Sequence, residues 1–287
     1  MILLQLLING LVTGCALGVV AISFSLVYST IKIFHVAHAG IYTLAGYIAW
    51  SLSTRGVPAL LAFAGAIAAC ALAGAAIQQF LYHQLERRRA SHLVVLIASL
   101  GMLAVIQNLI AGVYTPDILQ FHIGWSQTTL RVAGVLLSYT QLLTVAMGIA
   151  AYLGMMYFAH RTMLGKRIRA VASNPFLAEI TRLEPKRVYV IVIAIASAVV
   201  ALPGVLVPLD FGLQPYSGVN ALLTATIAMI AGGVGSITGA FVLAIVIAEL
   251  QNLSLLVIPG EWSIGVTFFI FVIFMLFRPT GLFAAAR

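Results

Sequence analysis

Charged residues are too sparse in this chain for a fold that water must surround. Only 8% of its 287 residues are Asp, Glu, Lys or Arg, whereas 62% are apolar. Soluble domains carry roughly 25% charged residues, so a soluble fold of this length would lack its usual polar cover. We therefore expect the lipid bilayer to be the solvent of the folded protein, where backbone polar groups must be satisfied internally.

The apolar runs predict helices rather than a barrel. Barrel strands show segments of about ten residues with alternating hydrophobicity, whereas the runs here are long and do not alternate. A helical span needs about 20 apolar residues, and the candidates are 5–28, 37–53, 58–81, 93–113, 134–158, 188–208, 220–231, 237–252 and 263–277. Glycines split 220–231 from 237–252, so the count is nine if both halves cross and eight if one half only enters the membrane. The expected fold is an all-α polytopic transmembrane helix bundle of about 8–9 spans with Gly-broken helices, forming a single domain over 1–287.

Basic residues are distributed unevenly between the connections. If 82–92 is cytoplasmic, thirteen of the fifteen Lys and Arg fall inside, and only Arg55 and Arg131 fall outside. Such a bias sets membrane orientation, and it places the N-terminus outside and the C-terminus inside for nine crossings. The net charge of +8 is then topogenic, and nucleic acid is not an expected partner. The first run has no charged n-region or cleavage site, so we expect a retained helix rather than a signal peptide.

Motifs for bond chemistry are absent from the sequence. GxxxxGK[ST] does not occur, so ATP chemistry must come from another chain. Cys15 and Cys70 lie inside apolar runs without disulfide or metal spacing, and we expect neither a metal nor a cofactor. Without a Ser–His–Asp set, paired carboxylates or a His-x-x-Glu-His motif, an intramembrane enzyme is the least favoured class.

Glu249 is the one acidic residue inside a predicted span. A secondary transporter or channel for small polar solutes is the alternative function, but it would be expected to carry several such groups or inverted repeats. We expect Glu249 near the outer end of its helix, hydrogen-bonded to a neighbour, with a contribution to the outer mouth left open.

The loop 159–187 is the one large, strongly charged segment. Asn174 and Pro175 form a helix-start pattern, and apolar residues follow at helical spacing. They predict a short amphipathic helix over 174–184, which Pro185 ends. The loop either lies on anionic lipid headgroups or presents this helix to a groove on a cytoplasmic partner. We favour the second interpretation, because a capped and bounded apolar face exceeds what topology requires.

Four stretches spread over nearly the whole chain form a distinctive set. They are FHVAHAGIY at 34–42, residues 169–188 of the charged loop, GGVGSITGA at 232–240 and RPTGLF at 278–283. Together with LINGL at 7–11, they resemble, in order, the elements of the LivH/LivM family of branched-chain amino acid ABC transporter permeases. The chain departs from the family where Arg182 replaces a usual Gly and His35 a usual Asn. Its length and short N-terminus are more similar to the LivH side.

The resemblance implies an ABC importer permease fold in the bacterial inner membrane, with no enzymatic activity of its own. The implied partners are a second, LivM-like permease subunit, two cytoplasmic ATP-binding subunits and a periplasmic solute-binding protein. The implied solutes are branched-chain amino acids or similar small molecules, with urea and short amides as relatives. The loop would couple to the ATPase through Asn174, Pro175, Phe176, Leu177, Ala178, Glu179, Ile180 and Leu183.

Polar residues at a membrane edge are candidates for the translocation pathway. His35 and His38 are three residues apart, on one helix face, and Tyr42 follows. No Cys, Asp or Glu nearby completes a metal site. The histidines are either an interfacial pair at a helix end or part of a broken helix that lines a water-filled path, and the resemblance implies the second.

A glycine cluster interrupts an apolar run further along the chain. Gly232, Gly233, Gly235 and Gly239 permit close helix packing, with Gly235 and Gly239 at small-xxx-small spacing. They also permit a break between half-helices whose ends face the solute path. The two interpretations are compatible, and both stay open. We include Gly232, Gly233 and Gly235 among the pathway candidates.

The predicted outer surface carries few charges. The loop 114–133 is either an ordinary connection or a docking surface, and an external binding protein would meet the charges at this side. Those charges are Arg55, Asp117, Arg131, Asp210 and Glu261.

Overall fold

The computed structural model describes residues 2–114, 117–121, 128–132, 135–278 and 281–283, and these are mainly helical. The helices are α1 (Ile2–Ile31), α2 (His38–Thr54), α3 (Ala59–Ile77), α4 (His83–Arg87), α5 (His92–Tyr114), α6 (Tyr139–Arg161), α7 (Met163–Ser173), α8 (Pro175–Ile180), α9 (Pro185–Phe211), α10 (Ser217–Gly232), α11 (Ile237–Ser254) and α12 (Ser263–Phe277). A π-helical turn, Gln78–Tyr82, joins α3 to α4, and a 3-10 turn, Gly260–Trp262, precedes α12. An antiparallel hairpin pairs β1 (Thr129–Val132) with β2 (Val135–Ser138).

Each predicted apolar run corresponds to a helix. Within the described residues, seven helical segments are long and apolar enough to cross a membrane, while α2 and α10 are shorter, at 17 and 16 residues. The prediction of an all-α polytopic bundle is therefore confirmed. The hairpin β1–β2 was not predicted, because its strands are only four residues long. Strand β2 occupies the first residues of the span predicted at 134–158, so the helix there begins only at Tyr139.

Helix α1 lies at the centre of the bundle and packs most closely against α11. Gly10, Gly14 and Gly18 recur at every fourth position on the contact face, and a Cβ on Gly14 would lie 2.6 Å from the Ile245 Cα. Small residues of this kind let helices associate in lipid. Helices α6, α9 and α10 also pack on α1. Helix α12 is peripheral, with Thr267 as its one buried residue among those described.

The predicted break between α10 and α11 is present and contains two left-handed residues. Gly233 has φ 102° and Gly235 has φ 89°, a region that glycine adopts without steric cost. Close packing occurs at the same place, because Gly232 lies directly against Gly239. Of the two glycines predicted to pack helices at small-xxx-small spacing, only Gly239 does so. Gly235 precedes α11, and a Cβ there would make only an ordinary contact with Ser29 at 3.5 Å.

The end of the chain covers the carboxyl end of α10. The amides of Leu282 and Phe283 donate to the carbonyls of Ala231 at 2.9 Å and Gly232 at 3.1 Å. These carbonyls belong to the last turn of α10 and have no partner within the helix. The RPTGLF stretch thus satisfies an interior helix end, although Pro279 and Thr280, like Arg287, lie outside the described residues.

The charged loop contains two helices instead of the single helix predicted. Helix α7 was not predicted, and α8 ends at Ile180 rather than near residue 184. Leu183 is therefore not part of the helix. Arg182 has φ 62°, which reverses the chain before Leu183, and Pro185 begins α9 rather than ending α8. Proline suits this first helical position because its missing N–H is not needed there.

Candidate coupling surface and solute pathway

Both ends of α8 are closed by hydrogen bonds, which makes this six-residue helix a defined element. The Leu177 amide donates to Asn174 Oδ1 at 3.1 Å, and Pro175 occupies the first turn. At the other end, the Arg182 amide donates to the Glu179 carbonyl at 3.0 Å and the Leu183 amide donates to the Ala178 carbonyl at 3.1 Å. This 5→2 and 6→1 pattern is a Schellman motif.

The apolar side chains of α8 face away from the bundle. Phe176 is 70% exposed, Leu177 56% and Ile180 65%. In contrast, Ala178 is 4% exposed, so it anchors the helix. Three adjacent exposed apolar side chains on a capped helix at a charged, membrane-flanking loop are typical of a contact surface.

A groove of about 570 Å³ runs beside this surface. Phe176, Glu179 and Arg182 form one wall, and residues from the start of α9 and from α4 form the other. Glu184 and Arg187 lie next to it as an exposed ion pair at 2.6 Å, which contributes little to stability because both ends are solvated. The groove therefore combines an apolar edge with charges of both signs.

Helix α7 connects this surface to the centre of the bundle. Thr162 caps its start by accepting from the Gly165 amide at 3.0 Å. Its buried residues Ile168 and Val171 belong to the main core, and α7 packs against α1, α6 and α9. A displacement of α8 would therefore be transmitted to the central helix through packed side chains.

The two predicted pathway histidines lie inside the bundle in a hydrogen-bond network. His35 Nδ1 is 2.6 Å from the Tyr82 hydroxyl, which donates to Ser99 Oγ at 2.8 Å. His38 Nε2 is 2.9 Å from Ser23 Oγ. Both histidines are fully buried, and no metal-binding group of three or more such side chains occurs in the described residues. Their place in the solute path stays a prediction, and the contacts found tie the α1–α2 connection to α1, α5 and the π-helical turn.

The third residue of this set, Tyr42, lines a cavity of about 270 Å³ near the end of the bundle that carries Asp210 and is predicted to face outside. The wall contains side chains of α1, α2, α6, α9 and α10, and is mostly apolar. Its polar members are Thr13, Tyr42, Thr144, Asp210, Ser217, Asn220 and Thr224. We refer to this space as the outer cavity.

A second cavity of about 250 Å³, the inner cavity, lies further along α1. Ser25 and Ser29 of α1 and Gly235 of the glycine break line it, and the Gly235 amide donates to Ser25 Oγ at 3.3 Å. Gly232 and Gly233 do not line it. Of the three glycines predicted for the pathway, the structure brings only Gly235 to a cavity wall.

An aromatic pair packs against the central helix α1. Phe241 packs on Gly18 and stacks on Tyr152, with ring centroids 4.8 Å apart and planes at 17°. The Tyr152 hydroxyl is 3.1 Å from Thr238 Oγ1, which lines the inner cavity. The pair therefore joins α6 to α11 beside the inner cavity.

Glu249 lies on α11 against Gly10 of α1. Its Oε2 atom is buried and has no hydrogen-bond partner in the described part of the chain. The predicted hydrogen bond to a neighbour was therefore wrong. Helix α1 lies so close at Gly10 that it covers the Glu249 Oε2 atom, but it supplies no hydrogen-bond donor to it.

The charges predicted for the outer side are exposed. Asp210 accepts a hydrogen bond at 3.0 Å from Ser138, the residue before α6. The connection that begins near residue 117 crosses this end, where Leu119 forms a β-bridge with Leu213 and Gln120 accepts from Trp50 Nε1 at 3.1 Å. The exposed charges are Arg55, Asp117, Arg131, Asp210 and Glu261.

Sequence reasoning missed five polar residues of the outer cavity, namely Thr13, Thr144, Ser217, Asn220 and Thr224. Asn220 and Thr224 are four residues apart, so they lie on one face of α10. Hydroxyl and amide groups at that spacing within an apolar run were the available signal, because polar groups inside a membrane usually face a cavity or the bundle interior.

Comparison with known proteins supports the resemblance found in the motifs. Residues 6–275 match the family model described as branched-chain amino acid transport system / permease component. The chain is 27% identical to the high-affinity branched-chain amino acid transport system permease protein BraD of Pseudomonas aeruginosa, covering 97% of this chain and 95% of that protein. It is 25% identical to LivH of Escherichia coli, covering 97% and 94%.

Two further similarities are more distant. A stretch of 119 residues is 35% identical to the xylose transport system permease protein XylH of Escherichia coli, covering 39% of this chain and 30% of that protein. The structure of PsaBC from Streptococcus pneumoniae in complex with Fab superposes with a TM-score of 0.53 at 14% identity, covering 96% of this chain and 91% of that one. At that identity the likeness concerns the fold alone.

Proposed function

We propose that this chain, which belongs to the family of branched-chain amino acid transport system permease components, is the membrane-spanning subunit of a binding-protein-dependent ABC importer. It is a multi-pass membrane protein with seven apolar helices of spanning length among its described residues. We place it in the bacterial inner membrane as one permease domain over 1–287, with a cytoplasmic coupling loop at about 159–187. Its solutes are branched-chain amino acids or similar small molecules, as the names of its relatives suggest.

The exposed apolar face of α8 is the observation that carries this proposal. Phe176, Leu177 and Ile180 are each more than half exposed, and burying apolar area contributes roughly 25 cal/mol per Å². A capped helix with this face fits the helix-in-groove mode of recognition. The partner would be an ATP-binding subunit, because the chain has no phosphate-binding loop of its own.

The groove beside α8 supports the same assignment. It provides space of about 570 Å³ next to Phe176, with Glu179, Arg182 and Lys186 along its sides. A protruding side chain from an ATPase subunit would fill this space while α8 enters the partner's own groove. Charges of both signs would fix the register of docking more than they would raise affinity.

Transport would proceed by a shift between two packings of the bundle. ATP binding closes the two ATPase subunits, and α8 and α7 transmit this motion to α1 and α9, on which α7 packs. The solute-binding protein docks outside and favours the outward-facing state, so nucleotide and receptor act through their differential affinity for the two states. A second, LivM-like permease subunit completes the complex.

Copurification tests the coupling assignment. Coexpression with the ATP-binding subunits should yield a stable complex, and Phe176→Asp should lower the recovered ATPase at least about tenfold, because a buried aromatic anchor contributes about 2 kcal/mol or more to an interface. Met163→Asp is the matched control, since Met163 is 69% exposed at the start of α7 but lies outside the groove.

Two results would contradict the proposal. One is full recovery of ATPase with Phe176→Asp and Ile180→Asp, which would leave α8 as a lipid-facing or solvated element. The other is equilibration of radiolabelled leucine by liposomes that contain the chain without any ATPase, which would indicate a channel or secondary transporter.

A further inference from the structure

The outer cavity contains polar groups that the protein itself does not use. Threonine hydroxyls in helices commonly donate to the carbonyl four residues earlier, as Thr30, Thr43 and Thr144 do. Thr13 and Thr224 line the outer cavity, and neither hydroxyl has a hydrogen bond to any residue that the structure describes.

The same is true of two further polar side chains at its wall. The Tyr42 hydroxyl and the Asn220 amide have no hydrogen bond with any described residue. Tyr42 is 6% exposed and Thr224 7%, so they lie deep, whereas Asn220 is exposed near the mouth. Four free hydrogen-bonding side chains therefore converge on one cavity from α1, α2 and α10.

The charge at this cavity has one sign. Asp210 is the one charged side chain among its described lining residues, and the hydrogen bond from Ser138 holds one of its carboxylate oxygens. Thr140 also hydrogen-bonds to this carboxylate. An ionised carboxylate offers about four lone-pair sites, so acceptor capacity remains for a cation. Val12, Leu17, Val20 and Val207 supply apolar surface in the same cavity.

These features match a small zwitterion with an aliphatic side chain. An ammonium group would meet Asp210, a carboxylate would receive hydrogen bonds from the free hydroxyl and amide donors, and the side chain would pack on the valine and leucine wall. A volume of about 270 Å³ is slightly below the roughly 300–1,000 Å³ of most small-molecule pockets, which suits a solute as small as one amino acid.

We propose that the outer cavity is the site at which the permease itself holds its solute, and that Asp210, Asn220, Thr224, Tyr42 and Thr13 recognise an aliphatic amino acid there. This inference rests on the proposed transport function and adds a specificity site within the membrane subunit. The site makes the permease a second selection step after the external receptor.

A matched pair of threonines on α10 tests the site. Thr224 and Thr226 are both buried, and neither hydroxyl has a partner among the described residues, but only Thr224 lines the outer cavity. In proteoliposomes that contain the complete importer, Thr224→Val should lower ATP-driven leucine uptake about threefold to tenfold, the equivalent of one hydrogen bond. Thr226→Val should leave uptake unchanged, and equal uptake by both variants would overturn the proposal.

A labelling experiment tests binding without the ATPase or the receptor. Ala221 also lines the outer cavity, and the native Cys15 and Cys70 are buried, so a maleimide should modify Ala221→Cys selectively in the purified full chain. Leucine should slow this labelling. Isopentylamine, which lacks the carboxylate, and 4-methylpentanoate, which lacks the ammonium group, should protect less.

The two experiments separate this inference from the proposed function. Protection by leucine together with ATP-independent uptake would support the site and contradict the importer assignment. ATP-driven uptake by the wild type without any protection by leucine would support the importer and overturn the site. If Asp210→Asn leaves the preference for leucine over 4-methylpentanoate unchanged, the assigned role of Asp210 is wrong.

Discussion

The contact between α1 and α11 gives the sharpest stability prediction, because it depends on backbone rather than on movable side chains. A Cβ on Gly14 would lie 2.6 Å from the Ile245 Cα, whereas carbon atoms pack best at about 3.5–4.0 Å. The helices would have to separate by about 1 Å to admit one methyl group. A gap of that size between the two helices would remove roughly a quarter to a half of the van der Waals energy of each contact between α1 and α11.

We therefore expect Gly14→Ala to destabilise the fold. Overpacking of this kind costs about 1–3 kcal/mol, and the better helix propensity of alanine returns about 0.8–1.0 kcal/mol. The net loss would be about 0–2 kcal/mol. The free energy of unfolding can be measured for the purified chain in mixed micelles by titration with dodecyl sulfate, with helical circular dichroism as the signal.

Gly154→Ala provides the matched control for this experiment. Gly154 lies in α6, and a Cβ there would have no neighbour within 4 Å among the described atoms. The same substitution should therefore leave stability unchanged or raise it by up to about 1 kcal/mol. If Gly14→Ala proves as stable as Gly154→Ala, the close approach of α1 and α11 is wrong.

Three further substitutions test other parts of the fold. Arg182→Gly should stabilise the end of α8 by up to about 1 kcal/mol. The reason is that Arg182 has φ 62°, and a left-handed residue with a Cβ costs about 1–2 kcal/mol. Slower hydrogen exchange of the α8 amides would show this stabilisation. Tyr82→Phe removes the hydroxyl that lies 2.6 Å from His35 Nδ1. Leaving that buried nitrogen unpaired should lower the free energy of unfolding by about 1–3 kcal/mol. An unchanged midpoint of the dodecyl sulfate unfolding transition would argue against the network. Gly281→Ala should release the C-terminal segment from α10. Gly281 has φ 87°, and an added Cβ would lie 2.5 Å from the Gly233 Cα. Faster proteolysis near residue 281 would show this release.

The position of Arg182 shows how far motif reasoning extends. The sequence indicates that this residue replaces a glycine usual in the family, but it gives no reason for that glycine. The backbone supplies the reason, since the Schellman turn after α8 requires a left-handed residue at this position. The same turn removes Leu183 from the helix, which a periodic pattern of apolar residues could not reveal.

The histidines show the opposite limit. Their spacing predicted one shared helix face, but α2 begins at His38 and His35 precedes it. The two rings still lie near each other, with centroids 5.5 Å apart. Their partners are Tyr82, Ser99 and Ser23, from three other segments of the chain. No local pattern specifies which distant hydroxyl will approach a buried imidazole, so their surroundings could not be predicted.

The sequence by itself determined that the chain is a bundle of membrane helices, because apolar runs of spanning length leave helices as the available way to satisfy the backbone in lipid. It also determined where α10 breaks from α11, since only glycines accept the backbone angles of that turn without strain. The tertiary structure decided which polar side chains share a space. Thr13, Tyr42, Asp210 and Thr224 are brought to one cavity by four different helices, and that convergence depends on how the helices pack rather than on any local sequence pattern.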